Sequence, residues 1–156
     1  MHMNEQRQEG IKQYEELRKK HPNLPKLEEL EEEFEGRLQA PIVAGLMMLI
    51  SERMSQCAGH IEVLYQPTRM SDMIECKFHD EKEKKELFEF YKKTISLLHE
   101  LSKSAFENRD ERIKKIIKCL EFYKNEMKPT MRQFLEKQAK GWLEQEKPEP
   151  KNQYFG

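Results

Sequence analysis

The sequence predicts an all-α protein, a bundle of five or six helices, and three observations carry that reading. Apolar residues recur at three- and four-residue spacing along most of the chain, the period of an amphipathic helix. Charge is dense and balanced, 28 Lys+Arg against 29 Asp+Glu, and dominated by Glu and Lys, as on solvated helical faces. Proline and N-cap residues punctuate the periodic stretches where helices would start and stop. The length of 156 residues suits one domain with a real core. Residues 1–147 are assigned to that domain and residues 148–156, rich in proline and polar groups, to a loose tail.

The elements follow in order. Residues 4–20 read as a polar helix with a thin stripe of Ile11, Tyr14 and Leu17. His21-Pro22-Asn23-Leu24-Pro25 ends it, because proline disfavours helix at the residue before it. The next helix carries Pro25 in its first turn, with Leu27, Leu30, Phe34 and Leu38 on one face. The glutamates from Glu28 to Glu35 read as its solvated side. Pro41 opens the most apolar helix, where Val43, Met47, Ile50, Met54, Cys57, Ile61 and Leu64 form a heptad seam. Such a helix is expected either at the centre of the bundle or as half of a dimer interface. The segment from Gln66 to Asp72 must turn. Ile74-Glu75-Cys76-Lys77-Phe78 alternates apolar and polar, which predicts a short extended piece near residues 73–78, or a β-hairpin of residues 60–66 with 73–79.

Asp80 with Glu83 makes an acidic capping box opening a long helix, whose buried face is expected at Leu87, Tyr91, Ile95 (or Thr94), Leu98, Leu101 and Ala105. Asn108 with Glu111 marks the next start, and Ile113, Ile116, Ile117, Leu120, Tyr123 and Met127 continue the pattern. Pro129 is expected to break or kink the chain. Met131, Phe134, Leu135, Gln138 and Trp142 then line the last helix.

One constellation carries chemistry. Cys57-Ala-Gly-His60 and Cys76-Lys-Phe-His79 repeat a Cys-x-x-His step and use two of the three cysteines. Cys and His are ligands for borderline metals, and a chain that turns back between the two steps can bring four donors together. The expectation is a closed structural zinc site at Cys57, His60, Cys76 and His79, with zinc as the one cofactor foreseen. Cys57 also sits on the apolar seam, where a thiol is ordinary core. Cys119 reads as core as well.

The same steps resemble the Rieske iron–sulfur motif, a Cys-x-His step followed by a Cys-x-x-His step. That resemblance implies cysteines 57 and 76 on one iron and histidines 60 and 79 on the other. Here the first step has one residue more, and an apolar helix leads into it. His60, His79-Asp80 and Asp110 are similar to the ligand set of HD-type phosphohydrolases, which implies metal-activated water. Glu28-Glu29-x-x-Glu32-Glu33 with Glu107-x-x-Asp110 resembles the acidic magnesium sites of all-α nucleotide pyrophosphohydrolases.

Charge balance gives nucleic acid no electrostatic footing. The lysines Lys114, Lys115, Lys118, Lys124 and Lys128 read as a solvated face. No stretch is apolar for the roughly 20 residues a bilayer requires. The first ten residues have no apolar core of a leader, and three cysteines suit a reducing compartment, so a cytoplasmic location is expected. The function these features favour is a non-catalytic helical interaction or regulatory module. Its expected partner is another protein, or a second copy of itself, held through the central helix 41–65. The alternative is a metal-dependent phosphohydrolase acting on a nucleotide or phosphate ester.

Overall fold

The helices lie where periodicity places them, but their ends and buried faces are set by contacts that periodicity does not contain. The computed structural model describes residues 2–145, so the tail predicted at 148–156 lies outside the described residues. The chain runs α1 (His2–Lys20), α2 (Leu27–Phe34), α3 (Ile42–Glu62), α4 (Met70–Glu75), α5 (Glu81–Ser104), α6 (Arg109–Phe122) and α7 (Lys128–Glu144). A 3₁₀ turn at Cys76–Phe78 follows α4, and a π-helical turn at Tyr123–Met127 joins α6 to α7. There is no strand among the described residues, and the all-α prediction holds.

The most apolar helix is central, as the sequence implies. α3 packs against α1, α5 and α6. Its seam residues Val43, Ile50, Met54, Cys57, Ile61 and Leu64 are all buried within the chain. The seam is thus spent on intramolecular packing, and a partner held through residues 41–65 would have to meet the other side of this helix. The outward side of α3 carries Met48, Glu52, Gln56 and His60, mostly polar.

α1 lies across the start of α3 through backbone contact. Gly10 is buried, and a Cβ there would come within 2.8 Å of the Ala40 amide nitrogen, so only glycine allows the approach. The Gln13 side-chain carbonyl accepts the Ile42 N–H at 3.0 Å, satisfying one of the free donors at the α3 N-terminus.

α2 is shorter than its apolar spacing suggests. It starts after Lys26 and ends at Phe34, where Glu35 takes a left-handed conformation (φ 50°) and its N–H returns to the last turn. Leu38 is buried all the same, because the Glu31 carboxylate accepts its N–H at 2.8 Å and holds the returning chain. Arg7 donates to both Glu31 oxygens at 2.6 and 2.7 Å. Burial pushes the Glu31 carboxyl up, but the Arg7 and Leu38 hydrogen bonds outweigh it and hold the group below its ordinary value. The glutamate run is therefore not uniformly solvated: Glu31 is a structural staple.

Residues 73–78 are helical, not extended. The buried Asp72 carboxylate accepts the Arg69 N–H at 3.1 Å and pairs with the Arg69 guanidinium, closing the first turn of α4. That local closure outweighs a five-residue alternation. α5 is also rotated from its expected orientation. Phe90, Thr94, Leu97, Leu101 and Ser104 are its buried positions, while Leu87, Tyr91, Ile95 and Leu98 are half-buried and Ala105 is exposed. Thr94 and Ser104 tolerate burial because each hydroxyl donates to a carbonyl of its own helix, Phe90 at 2.9 Å and Leu101 at 2.6 Å.

Pro129 does not break the helix. It has no N–H for the carbonyl four residues back and would press on it. The π-helical turn just before it widens the backbone instead, so α6 runs on into α7. Leu135 and Trp142, expected to line α7 inward, are substantially exposed, whereas Met131, Phe134 and Gln138 are buried. No helix among the described residues is long and apolar enough to cross a membrane.

Candidate functional site

The four Cys/His side chains of the sequence motif fall into different surroundings. Cys57 is buried in the α3 seam, where burial pushes its thiol up. His60, one turn on, is exposed and faces a shallow groove between α3, α4 and α7. Cys76 is half-buried and its thiol donates to the Met73 carbonyl at 3.0 Å. Among the described residues no three His, Cys, Asp or Glu side chains are grouped so as to hold a metal ion. The same holds for the sets built on His60, Asp80 and Asp110 and on Glu28, Glu33, Glu107 and Asp110. Cys119, expected in the core, is buried there, and its thiol is pushed up to about 11, mainly by burial.

His79 is the member of the motif with the richest environment. It is buried between the start of α5 and α7, with its ring stacked on Phe134 at 5.1 Å between centroids. Its Nε2 lies 2.8 Å from the Gln138 side-chain oxygen, and the Gln138 amide nitrogen donates to Glu75 at 2.7 Å. The other Glu75 oxygen accepts the Trp142 indole N–H at 3.0 Å. On the opposite side, His79 Nδ1 lies 3.2 Å from Glu83, which also accepts from Lys137. The Glu75 carboxylate fixes the orientation of the Gln138 amide, so the Gln138 oxygen faces His79 and requires an N–H on Nε2. Nδ1 faces the Glu83 carboxylate on the other side of the ring. Lys137 above all holds the Glu83 carboxyl below its ordinary value. This line of hydrogen bonds from Lys137 to Trp142 ties α4, α5 and α7 together, and every polar atom named in it is used. Next to it, a Cβ on Gly141 would meet the Phe78 ring at 2.5 Å, so the α4–α5 connection is packed directly on α7.

A second region is open. α2, the end of α6 and the π-helical turn enclose a cleft of about 460 Å³, within the range of about 300–1,000 Å³ typical of ligand pockets. Its floor is apolar: Leu24, Leu30 and Phe34 are buried beneath it, and Ile117 and Leu120 on α6 are half-buried. One wall is fixed by a polar cluster. The Tyr123 hydroxyl donates to Glu33 at 3.1 Å and accepts from Arg53 at 3.2 Å, while Lys128 donates to the other Glu33 oxygen at 2.8 Å. Arg53 also lies over the Phe34 ring at 5.5 Å, and Phe34 contacts Tyr123 at 4.9 Å between centroids. Lys128 chiefly, then Tyr123, holds the Glu33 carboxyl below its ordinary value. Burial, reinforced by Glu33, pushes the Tyr123 hydroxyl up. At the rim, Glu29, Glu121 and Lys124 have no ion pair among the described residues.

The sequence gives almost no sign of this cleft. Glu29 and Glu33 read there as solvated charge or as magnesium ligands, and Ile117 and Leu120 as part of the helical apolar pattern. Only folding brings α2 beside the π-helical turn and the start of α7, roughly ninety residues on in the chain, as the Glu33–Tyr123 and Glu33–Lys128 bonds record. Among protein-family models, curated proteins and solved structures, none matches this chain.

Proposed function

We propose that the chain is a non-catalytic helical interaction module that binds a partner protein in the cleft between α2, α6 and the π-helical turn. The observation that carries this reading is the cleft itself: a concave apolar floor with unpaired charges at its rim, held by helices on both sides. Apolar floor supplies affinity when covered, and a charged rim supplies selectivity. The wall charges support the same reading, because Glu33 is engaged by Lys128 and Tyr123 and so shapes the cleft. Elements locked in this way hold a binding surface more precisely than loops do. This reading places the partner in the cleft, as an alternative to the central helix 41–65 whose seam is buried.

Selection of peptides from a displayed library on the native chain, followed by amide chemical-shift mapping of the enriched peptides, tests this. Shifts concentrated at Leu30, Ile117, Leu120 and Tyr123 are expected. No enrichment over an unrelated helical bundle, or shifts confined to α4 and the C-terminal end of α7, would contradict the proposal.

A further inference from the structure

α2 is attached very unequally to the two sides it lies between. Its flanking segments are tied to α1 by bonds that involve no carboxylate. The Tyr14 hydroxyl donates to the Pro25 carbonyl at 2.6 Å, and Arg18 donates to the Leu24 carbonyl at 3.2 Å. At the other end, the Ala40 N–H donates to the Gln6 carbonyl at 3.0 Å and Arg7 donates to the Leu38 carbonyl at 2.5 Å. Arg7 also pairs with Glu31, so that carboxylate too is turned to α1. Toward α6, the π-helical turn and α7, Glu33 is the only residue of 21–41 with a hydrogen bond or ion pair among the described residues.

Glu33 faces Lys128 of α7, Tyr123 of the π-helical turn and Arg53 of α3, each a donor or a cation, and all three interactions weaken when the carboxyl takes up a proton. α2 has only eight residues, and a helix that short does not hold itself in water, so it keeps its form only while docked. We propose that the segment from Leu24 to Ala40 is a strap carried by α1 at both ends and latched by Glu33, and that loss of the Glu33 charge frees α2 from the π-helical turn and opens the cleft wall. Opening uncovers Leu30 and Phe34, which are buried in the latched form. Lys128 above all, then Tyr123, holds the Glu33 carboxyl below its ordinary 4.5, so the latch is fully engaged above pH 4.5 and releases as pH falls through the lower folded value. The strap opens whether or not the cleft has an occupant.

Hydrogen–deuterium exchange read by mass spectrometry on the full chain tests this. The native chain is compared with Glu33→Gln and with the control Glu32→Gln, whose carboxylate is exposed and does not line the cleft. At pH 7 the α2 amides are expected to exchange roughly fivefold or more faster in Glu33→Gln, while those of α3 and α5 keep their native rates. Glu32→Gln should match the native chain. Lys128→Gln, which removes the latch from the opposite wall, should give the same selective acceleration, and it keeps the test decisive if Glu33→Gln does not fold. As pH falls below 4.5, the native α2 rates, scaled to those of an unstructured peptide, should approach the Glu33→Gln rates, because both side chains are then uncharged. Unchanged α2 exchange in the folded latch variants overturns the inference. So does an acceleration shared equally by α3 and α5, which reports a weakened bundle and no strap. A ratio of variant to native rates that stays constant down to about pH 3 overturns it as well.

Discussion

The junction around His79 and the cleft around Tyr123 are built from the same kinds of residue and do opposite things. Both join α7 to an earlier helix through a carboxylate shared between two donors. At the junction, Glu83 takes Lys137 and His79, and the line continues through Gln138 and Glu75 to Trp142. At the cleft, Glu33 takes Lys128 and Tyr123, but the surrounding surface stays concave, and Glu29, Glu121 and Lys124 are left without ion pairs. At the centre of the junction His79 and Gln138 are buried, and a buried pair with its polar atoms bonded is a fastener, since removing one strands the other at a desolvation cost. An apolar hollow rimmed by unpaired charge costs little to alter and gains most when something covers it. The chemistry that draws the eye in the sequence lies at the fastener. The hollow proposed as the binding surface lies at the other place.

The two regions should separate sharply in mutagenesis. Gln138→Ala removes the centre of the His79 line and leaves one His79 nitrogen and one Glu75 oxygen without their partner. It is expected to cost about 2–4 kcal/mol in urea unfolding. A loss under about 0.5 kcal/mol would mean the junction is not a fastener.

Acid titration probes the same region with a smaller effect. The Glu83 carboxyl lies below its ordinary 4.5 in the folded chain. Its contribution is therefore complete above pH 4.5 and is lost as pH falls through the lower folded value. Glu83→Gln should lower stability at pH 7 by about 1 kcal/mol and flatten the acid limb of the stability profile, given that such partly exposed pairs are screened. An acid limb unchanged by the variant would place the pH dependence elsewhere, at Glu31, Glu33 or Asp72, which are held low as well.

Cys76→Ser is expected to change stability by no more than about 0.5 kcal/mol, because the half-buried thiol makes one contact to the adjacent Met73 carbonyl. A zinc clamp through Cys57, His60, Cys76 and His79 would make this substitution cost several-fold more and release metal, as metal analysis of the purified chain would register. The smallest effect is expected at the cleft rim. Glu29→Lys/Glu121→Lys should leave the unfolding midpoint within about 0.5 kcal/mol of the native chain, since both side chains are exposed and unpaired.

What was legible in the sequence was what is local. Asp80 and Asn108 cap α5 and α6 through the Glu83 and Glu111 amides, three residues on, as their spacing implies. The α3 seam is buried because its period is long and unambiguous. Short patterns failed: the alternation in residues 74–78 gave way to the turn closed by Asp72. Ser104 was missed, since it is buried by bonding its own backbone, whereas Gln138 lines the last helix inward as expected, held by bonds to His79 and Glu75 that the sequence does not show. The cleft was illegible because its walls, α2 and α6, are distant in sequence and each looks like an ordinary amphipathic helix alone.

The most direct test of the proposed cleft is binding of a library-selected peptide to three forms in parallel: the native chain, Gln138→Ala below its unfolding transition, and Leu120→Lys, which puts a charge on the half-buried apolar floor. Gln138→Ala is expected to bind like the native chain despite its lost stability, while Leu120→Lys, checked by circular dichroism to be folded, is expected to bind roughly tenfold more weakly or worse. Binding lost in Gln138→Ala and retained in Leu120→Lys would contradict this, and would place the binding surface at the His79 junction.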